Sequence, residues 1–289
     1  MNSTPRAQLL AADAQCTRLV RHYENFTVAS RLTPRRLRRD LTRIYAFCRT
    51  TDDIGDETGD ADVATRRLRQ WRDQLEAMFA GKPVPDPVLT ALRLTVVAHR
   101  LDMQPFIDLI DANLQDQRVS TYEDWPALLE YCRRSAAPVG RMVLRLFGAT
   151  SGHFEQLSDD VCIGLQLANF AQDVRIDAAR GRTYLLQEDI RSKGVRGAVA
   201  AMCVRARSLL RSGIELENTF TGRLRMQLML YRLGGDAILD AVEAVGFDTA
   251  RTRPVVSRAD RVRILRRVLL EAMQPQRVSV ARVSEAQHG

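Results

Sequence analysis

Two short acidic segments, about 120 residues apart, contain the residue types best suited to chemistry. Residues 52–57 read DDIGDE, and residues 169–177 read NFAQDVRID. Each segment contains Asp-x-x-x-Asp within an amphipathic pattern, and this spacing places two side chains on one face of a helix. Two such faces opposite each other could bind Mg²⁺ ions and, through them, a diphosphate.

The carboxylates of these segments need a compensating cation. The first segment stacks Asp52 and Asp56 on one helix face, and the second stacks Asn169, Asp173 and Asp177. Unpaired carboxylates stacked in this way repel one another, and more strongly when they are buried. Mg²⁺ prefers hard oxygen ligands, including an amide oxygen, and Mn²⁺ can substitute for it. A single Asp-x-x-x-Asp is usually a solvated surface, so the prediction depends on both segments together.

The composition is that of a basic globular protein. The chain has 289 residues, of which 45% are apolar and 27% charged. Its net charge of +8, from 43 basic and 35 acidic residues, suits a polyanionic substrate or an anionic membrane face. No interleaved aromatic residues or recognised motif supports nucleic-acid binding, so we expect no nucleic-acid partner.

The cysteines and the N-terminus indicate a compartment. The five cysteines are scattered without Cys-x-x-Cys spacing, which argues against a thiolate metal site and a disulfide framework. Residues 1–10 lack the apolar core of a signal peptide, and no run of about 18 apolar residues predicts a membrane-spanning helix. We therefore expect a cytoplasmic protein, with peripheral contact at the inner face of the plasma membrane left open.

Apolar residues recur every three or four positions along most of the chain, which predicts an all-α protein with a single domain. The first two clear helix starts are Thr33-Pro34 and Asp60. Further helices are predicted at 88–100, 105–116, 123–135, 139–148, 157–180, 195–213, 218–234, 235–246 and 258–273. Residues 1–14 are expected to be a flexible N-terminus, 15–275 the domain and 276–289 a disordered tail.

The last predicted helix combines arginines with apolar residues. Val262, Ile264, Leu265, Val268 and Leu269 alternate with five arginines between 258 and 267. Two interpretations remain open. The helix packs in the core with a basic outer face, or it docks on an anionic membrane.

The acidic segments and their flanks resemble the squalene/phytoene synthase family over about residues 15–270. The resemblance implies the isoprenoid-synthase helical bundle around a central cavity, with two Asp-rich helices that bind Mg²⁺ and a substrate diphosphate. The implied metal ligands are Asp52, Asp56, Asn169, Asp173 and Asp177. The implied substrate-binding residues are His22, Asn25, Phe26, Arg49, Gln166, Arg182 and Tyr184. The four Asp ligands, Tyr45 and Tyr131 are the implied catalytic residues.

Three segments are most similar to the hydroxysqualene synthase branch of that family: residues 24–30 (ENFTVAS), 135–141 (SAAPVGR) and 167–174 (LANFAQDV). This resemblance implies ionisation of presqualene diphosphate and capture of the carbocation by water, without NADPH. The chain has Ala171 where relatives typically have Trp, and Leu186 where they have Pro. These two differences affect how the substrate fits and leave the implied metal ligands unchanged.

Several alternatives remain open from the sequence. The enzyme could instead condense two prenyl diphosphates head to head, or the chain could be a non-catalytic assembly or membrane-binding relative. Tyr45, Phe26 and Tyr131 at helical spacing are compatible with ordinary core residues. Arg49 could be a simple ion-pair partner of Asp52 or Asp53.

Overall fold

A computed structural model of the protein describes residues 5–20, 33–57, 59–149 and 151–273. Within these ranges the chain forms helices and no strand, which confirms the all-α prediction. In chain order the helices are α1 (Pro5–Val20), α2 (Arg35–Asp56), α3 (Ala61–Phe79), α4 (Pro87–His99), α5 (Gln104–Asp116), α6 (Trp125–Ser135), α7 (Ala137–Leu146), α8 (Gly152–Gln172), α9 (Val174–Ala179), α10 (Gln187–Thr219), α11 (Gly222–Ala244) and α12 (Arg258–Met273).

Side-chain caps define several helix starts. Asp60 accepts hydrogen bonds from the backbone N–H groups of Asp62 and Val63 at the start of α3, as its type predicts. Asp86 caps α4 in the same way. The first predicted start differs slightly, because α2 begins at Arg35 after Pro34, without a side-chain cap.

Two large apolar clusters form the core and meet at the cavity described below. The first contains residues of α1, α2, α3, α4, α5 and α7, and it includes the fully buried Leu41, Phe47 and Phe106. The second joins α5, α6, α8, α10 and α11 and includes Leu167 and Leu210. The acidic helix α2 belongs to the first cluster and α8 to the second, so the two motifs come from different halves of the core.

Residues 5–14, which belong to the segment expected to be a flexible N-terminus, are helical in the structure. Helix α1 begins at Pro5 and packs on α2 and α4. Ala12 and Cys16 are buried there, and Asp13 accepts hydrogen bonds from Arg43 of α2 at 2.8 and 3.2 Å. This apolar stripe and ion pair hold the segment on the bundle. The predicted tail at 276–289 lies outside the described residues.

Three helix boundaries differ from the prediction. The helix predicted at 157–180 is interrupted at Asp173, whose φ of −102° and ψ of 16° separate α8 from α9. The two helices predicted at 218–234 and 235–246 form one helix, α11, in which Gly235 lies close to Leu165 and Leu210. Helix α10 begins earlier than predicted and kinks at Gly194, whose φ of 68° favours glycine.

Helix α12 is only partly a core helix. Val268 is buried, and with Ile264 it packs against Met229 and Leu233 of α11. Other apolar residues of α12 that the sequence grouped with these are exposed, namely Val262, Leu265 and Leu269. In the described ranges, no helix is long and apolar enough to cross a membrane.

Candidate active site

The first acidic motif lies at the end of an unbroken helix. Asp52 accepts a hydrogen bond from the side-chain amide of Asn113 on α5 at 3.3 Å. Burial is the main reason that the pKa of Asp52 is raised to about 7. A Cβ at Gly55 would lie 2.5 Å from the Asn113 amide oxygen, so glycine permits this close approach of α2 and α5. Asp52 is therefore a desolvated carboxyl group held by tertiary packing.

Asp56 connects the two motifs through arginines. It accepts hydrogen bonds from Arg180 at 3.0 Å and from Arg182 at 2.8 Å, and both arginines follow the second motif. The Arg182 side chain is 15% exposed and that of Arg180 is 51% exposed. Arg182 is thus the less exposed cation of this pair.

The second motif is spread across a helix break. Asp173 ends α8 and pairs with Arg253, with N–O distances of 2.5 and 3.3 Å. The helix predicted through this motif is interrupted at Asp173, but Asp173 N–H still donates to the Asn169 carbonyl and Asp177 N–H to the Asp173 carbonyl. These bonds preserve the four-residue spacing through the break.

The carboxylates of the two motifs influence each other's charge. Burial, and then the charge of Asp173, raise the pKa of Asp177 to about 7, and Asp56 of the first motif contributes in the same direction. Carboxylates from two helices therefore meet where cations are needed to offset them.

The sequence did not single out Asp116 at the C-terminal end of α5. Its carboxylate accepts hydrogen bonds from Tyr131 at 2.7 Å and from Tyr184 at 3.2 Å. Burial raises its pKa to about 6, while the tyrosine hydrogen bonds and Arg182 act in the opposite direction. A usable signal was present, because Asp116 follows the buried Leu109 by seven residues and Ala112 by four, on the apolar face of α5.

Tyr131 and Tyr184 belong to a stacked aromatic cluster. The rings of Phe170 and Tyr184 are parallel within 7°, with centroids 3.9 Å apart, and Tyr131 stacks on Tyr184 at 5.6 Å. All three residues are buried. They form a wall beside Arg182 and the second motif, and they do not line the cavity described next.

A cavity of about 270 Å³ lies between the two halves of the core. Five of the residues predicted for the site line it: Tyr45, Arg49, Asp52, Gln166 and Asn169. Most of the remaining lining is apolar, with residues such as Leu109, Val143, Val161 and Leu165. The cavity therefore combines a polar region, suited to a diphosphate, with an apolar region, suited to a hydrocarbon.

Arg49 takes part in an ion pair as well as in the cavity wall. It pairs with Asp53 at 2.5 Å and with Glu57 at 3.4 Å, on the face adjacent to Asp52. Of the two ion pairs that the sequence left open for Arg49, the one with Asp53 is therefore present. His22, Asn25 and Phe26 lie outside the described residues.

The residues present fit a divalent cation that also binds a substrate. Among the described residues, no three His, Cys, Asp or Glu side chains gather closely enough to hold a metal ion by themselves. Mg²⁺ usually binds through one or two carboxylates, with waters and phosphate oxygens completing its shell. Burial raises the pKa values of Asp52 and Asp177, so a nearby cation would favour their ionised forms.

Comparison with known proteins identifies the family. The squalene/phytoene synthase family model matches residues 19–260. The chain belongs to the squalene/phytoene synthase family. The chain is 31% identical to 15-cis-phytoene synthase of Synechococcus elongatus over 284 residues, which covers 86% of this chain and 90% of that protein. It is 30% identical to a chloroplastic phytoene synthase of Zea mays over 92% of its own length and 67% of the relative's.

The chain spans 60–67% of the length of the first three plant phytoene synthases it matches. Among solved structures, squalene synthase HpnC from Alicyclobacillus acidocaldarius has a TM-score of 0.77 and 41% identity, covering 83% of this chain and 96% of that chain. A dehydrosqualene synthase has a TM-score of 0.81 at 24% identity, covering 93% and 99%. The fold is the isoprenoid-synthase helical bundle, as the resemblance implied.

Proposed function

We propose that the protein is a Mg²⁺-dependent hydroxysqualene synthase. It converts presqualene diphosphate and water into hydroxysqualene and diphosphate. The observation that carries this proposal is the cavity between the two acidic motifs, with Asp52 at its polar region and apolar walls beyond. Family membership supports chemistry on a prenyl diphosphate. The choice of presqualene diphosphate rests on further features of the cavity wall.

The distinctive segment 135–141 supports this choice of substrate. Four of its residues line the cavity, namely Ser135, Ala136, Val139 and Gly140. At Gly140 a Cβ would lie 2.4 Å from the hydroxyl oxygen of Ser158 and 2.6 Å from the sulfur of Cys162, so a larger residue would not fit. The segment that resembles the hydroxysqualene branch therefore shapes the substrate space. The 41% identity to squalene synthase HpnC points in the same direction.

The chain's own residues have defined tasks in this proposal. Asp52, Asp56, Asn169, Asp173 and Asp177 would hold Mg²⁺ or, in its place, Mn²⁺. The bound metal supplies positive charge that stabilises the departing diphosphate. Arg182 leaves Asp56 for the diphosphate, and Arg49 adds a second cation from the cavity wall. The apolar walls exclude bulk water, which directs the carbocation towards a single capture event.

No reductant is part of this reaction, so we expect no requirement for NADPH. Water supplies the oxygen, and a proton is released with the diphosphate. The runner-up function condenses two prenyl diphosphates at the same metal site, as in the phytoene synthases that the chain resembles. Both functions need the acidic motifs. They differ in the substrate and in how the final carbocation is quenched.

Product analysis separates the two functions. Purified protein with Mg²⁺ is given presqualene diphosphate in one reaction and farnesyl diphosphate alone in another, without NADPH. The proposal predicts hydroxysqualene from presqualene diphosphate, with no squalene or phytoene in either reaction. Squalene or phytoene from farnesyl diphosphate alone, or no conversion of presqualene diphosphate, would contradict it. Adding NADPH should leave the product unchanged.

We also propose that α12 docks on an anionic membrane, which would suit a cytoplasmic enzyme with a water-insoluble product. Val262, Leu265, Leu269 and Leu270 are 66%, 38%, 45% and 55% exposed. Arginines at 258, 261, 263, 266 and 267 stand among them on the same helix. Exposed apolar residues flanked by arginines suit the boundary between acyl chains and anionic headgroups.

Vesicle co-sedimentation tests the docking. Binding should increase with the fraction of anionic lipid and decrease in high salt. The variant Val262→Ser with Leu269→Ser should bind less, and the control Val97→Ser, at an exposed apolar residue of α4, should bind normally. Equal sedimentation with neutral and anionic vesicles would contradict the docking, and so would an unaltered double variant.

A further inference from the structure

Two tyrosines from opposite halves of the core meet in the cavity wall. Tyr45 on α2 and Tyr231 on α11 both line the cavity, and their hydroxyl oxygens are 3.3 Å apart. The sequence resemblance assigned a role to Tyr45 and none to Tyr231. At helical spacing in an apolar stretch, Tyr231 is indistinguishable from a core residue.

Buried polar residues hold Tyr231 from behind. The Gln227 amide donates to the Tyr231 hydroxyl oxygen at 2.8 Å. Thr33 in turn donates to the Gln227 amide oxygen at 3.1 Å, and Thr33 and Gln227 are fully buried. A chain of hydrogen bonds therefore fixes the position of this hydroxyl within an apolar region. Buried networks of this kind are costly unless satisfied, so they are unusual in an apolar wall without a further purpose.

The Tyr231 hydroxyl has one hydrogen-bonding position left for a ligand. A phenol oxygen can donate one hydrogen bond and accept two. The contacts described for Tyr231 use two of these three, one with Gln227 and one with Tyr45. Because Tyr231 lines the cavity, a small polar molecule there can take the third position.

Most other polar groups in the described cavity wall have an assigned role or a partner. Arg49, Asp52, Gln166 and Asn169 line the cavity and are assigned to the metal or the substrate. The Ser158 hydroxyl bonds to the thiol of Cys162. The Ser135 hydroxyl oxygen is buried and has no hydrogen-bond partner among the described residues. The Tyr45–Tyr231 pair is thus the polar feature best placed to hold a water against the hydrocarbon.

We propose that Tyr231 is a positioning residue that, together with Tyr45, binds the water that captures the carbocation. This inference rests on the proposed function and names the residues that position water for its final step, the capture of the carbocation. The carbon–oxygen bond to diphosphate breaks, and its electron pair leaves with the diphosphate. A lone pair of the held water then forms the new carbon–oxygen bond, and the resulting oxonium loses its proton to the released diphosphate.

The tyrosines act through hydrogen bonds in this step, without taking a proton. Burial raises the pKa of Tyr231, and it raises the pKa of Tyr45 well above its ordinary value. Both phenols therefore stay neutral at ordinary pH. They orient the water and leave the proton for the more basic diphosphate.

The variant Tyr231→Phe tests the inference, because it keeps the ring and removes the hydroxyl. Presqualene diphosphate is supplied in ¹⁸O-labelled water, and both substrate consumption and products are measured. Consumption should stay within about threefold of the wild type, since ionisation does not use Tyr231. The ratio of labelled hydroxysqualene to elimination and rearranged products should fall about tenfold, the effect of losing one hydrogen bond of about 1.4 kcal/mol. Ser192→Ala, which removes an exposed hydroxyl on α10, should leave the ratio unchanged.

The outcomes distinguish the inference from the function on which it rests. If the wild type forms no hydroxysqualene, the proposed function is wrong. If the wild type forms it and Tyr231→Phe keeps the same product ratio, the positioning role is wrong. A folded Tyr231→Phe protein that no longer consumes substrate would also overturn it. If Tyr231→Phe does not fold, Gln227→Met decides, since it frees the hydroxyl from its support and should lower the ratio in the same direction.

Discussion

The two acidic motifs are similar in sequence and differ in how the fold holds them. The first lies on the unbroken helix α2, where Asn113 and close packing at Gly55 fix Asp52. The second straddles the end of α8, and Asp173 is held by Arg253, a residue 80 positions later in the chain. Packing therefore fixes Asp52 of the first motif, whereas an ion pair fixes Asp173 of the second. In the proposed function, Mg²⁺ and diphosphate would replace this ion pair.

Asp56 joins the two arrangements. It sits on the packed helix, yet its partners Arg180 and Arg182 come from the segment after the second motif. Diphosphate binding would draw Arg182 from Asp56 and leave that carboxylate for the metal. We therefore expect changes to the buried contacts of Asp56 to lower activity more than changes to the exposed residues around either motif.

The largest expected effect comes from disabling both motifs together. Asp52→Asn with Asp173→Asn should lower diphosphate release from presqualene diphosphate by about 10³-fold or more, because each change removes a charged ligand at a site of developing charge. Enzyme-coupled detection of released diphosphate measures it. Asp62→Asn, at an exposed position of α3, is the matched control. Activity that survived the double change would refute the metal site.

The two arginines on Asp56 should differ in importance. Arg182→Ala should reduce kcat/KM about 10²-fold, because Arg182 is the less exposed of the two arginines and is proposed to stabilise the developing diphosphate charge. Arg180→Ala should reduce it by about threefold or less, since its ion pair is half exposed. Steady-state kinetics on both variants, with Arg182→Lys as a conservative comparison, measures the difference. Equal losses for the two alanine variants would show that the less exposed position has no special role.

Asp116 should have an intermediate effect through the aromatic wall. Asp116→Asn replaces a charged acceptor for Tyr131 and Tyr184 with a neutral one. We expect kcat to fall about tenfold, with a smaller change in KM, because hydrogen bonds to a charged group are worth about 1.5–3 kcal/mol. A variant with unaltered kcat would restrict Asp116 to a structural role. The melting temperature of the same variant separates lost stability from lost activity.

The smallest expected effect is a pH dependence of stability. In the folded, metal-free protein the pKa values of Asp52 and Asp177 are about 7, against an ordinary 3.8. The folded state then binds more protons at these two groups than the unfolded state does between these values. Their contribution to stability is therefore full below about pH 3.8 and is lost as the pH rises through about 7. Mg²⁺ should therefore raise the melting temperature more at about pH 8 than at about pH 5.5, by roughly 2–4 °C.

Differential scanning fluorimetry with EDTA and with Mg²⁺ at both pH values measures this effect. Asp52→Asn should weaken the pH dependence, because it removes one of the two carboxyl groups. A Mg²⁺ shift that is the same at both pH values would argue that these carboxyl groups do not bind the metal.

The sequence predicted much of the fold because the relevant information is local. The apolar spacing and the Asp60 cap identified most helices, and the Asp-x-x-x-Asp segments identified both motifs. The break at Asp173 was missed, because no Gly or Pro marks it and tertiary contacts with Arg253 accompany it. Helix α1 was missed because its apolar stripe is stabilised by partners on α2 and α4.

The unpredicted parts of the site depend on residues far apart in sequence. Asp116 gains its role only when Tyr131 and Tyr184 reach it from other segments. Tyr231 becomes distinctive only beside Tyr45, 186 residues earlier in the chain. Neither pairing leaves a periodic signal, so one sequence read alone cannot reveal it.

The proposed reaction is best tested by the products formed from presqualene diphosphate in ¹⁸O-labelled water with Mg²⁺, for the wild type and for Asp52→Asn with Asp173→Asn. We expect one equivalent of diphosphate for each hydroxysqualene, with one ¹⁸O atom in the product, and a loss of both in the double variant. Wild-type protein that releases no diphosphate, or that gives an unlabelled hydrocarbon as its main product, would contradict it.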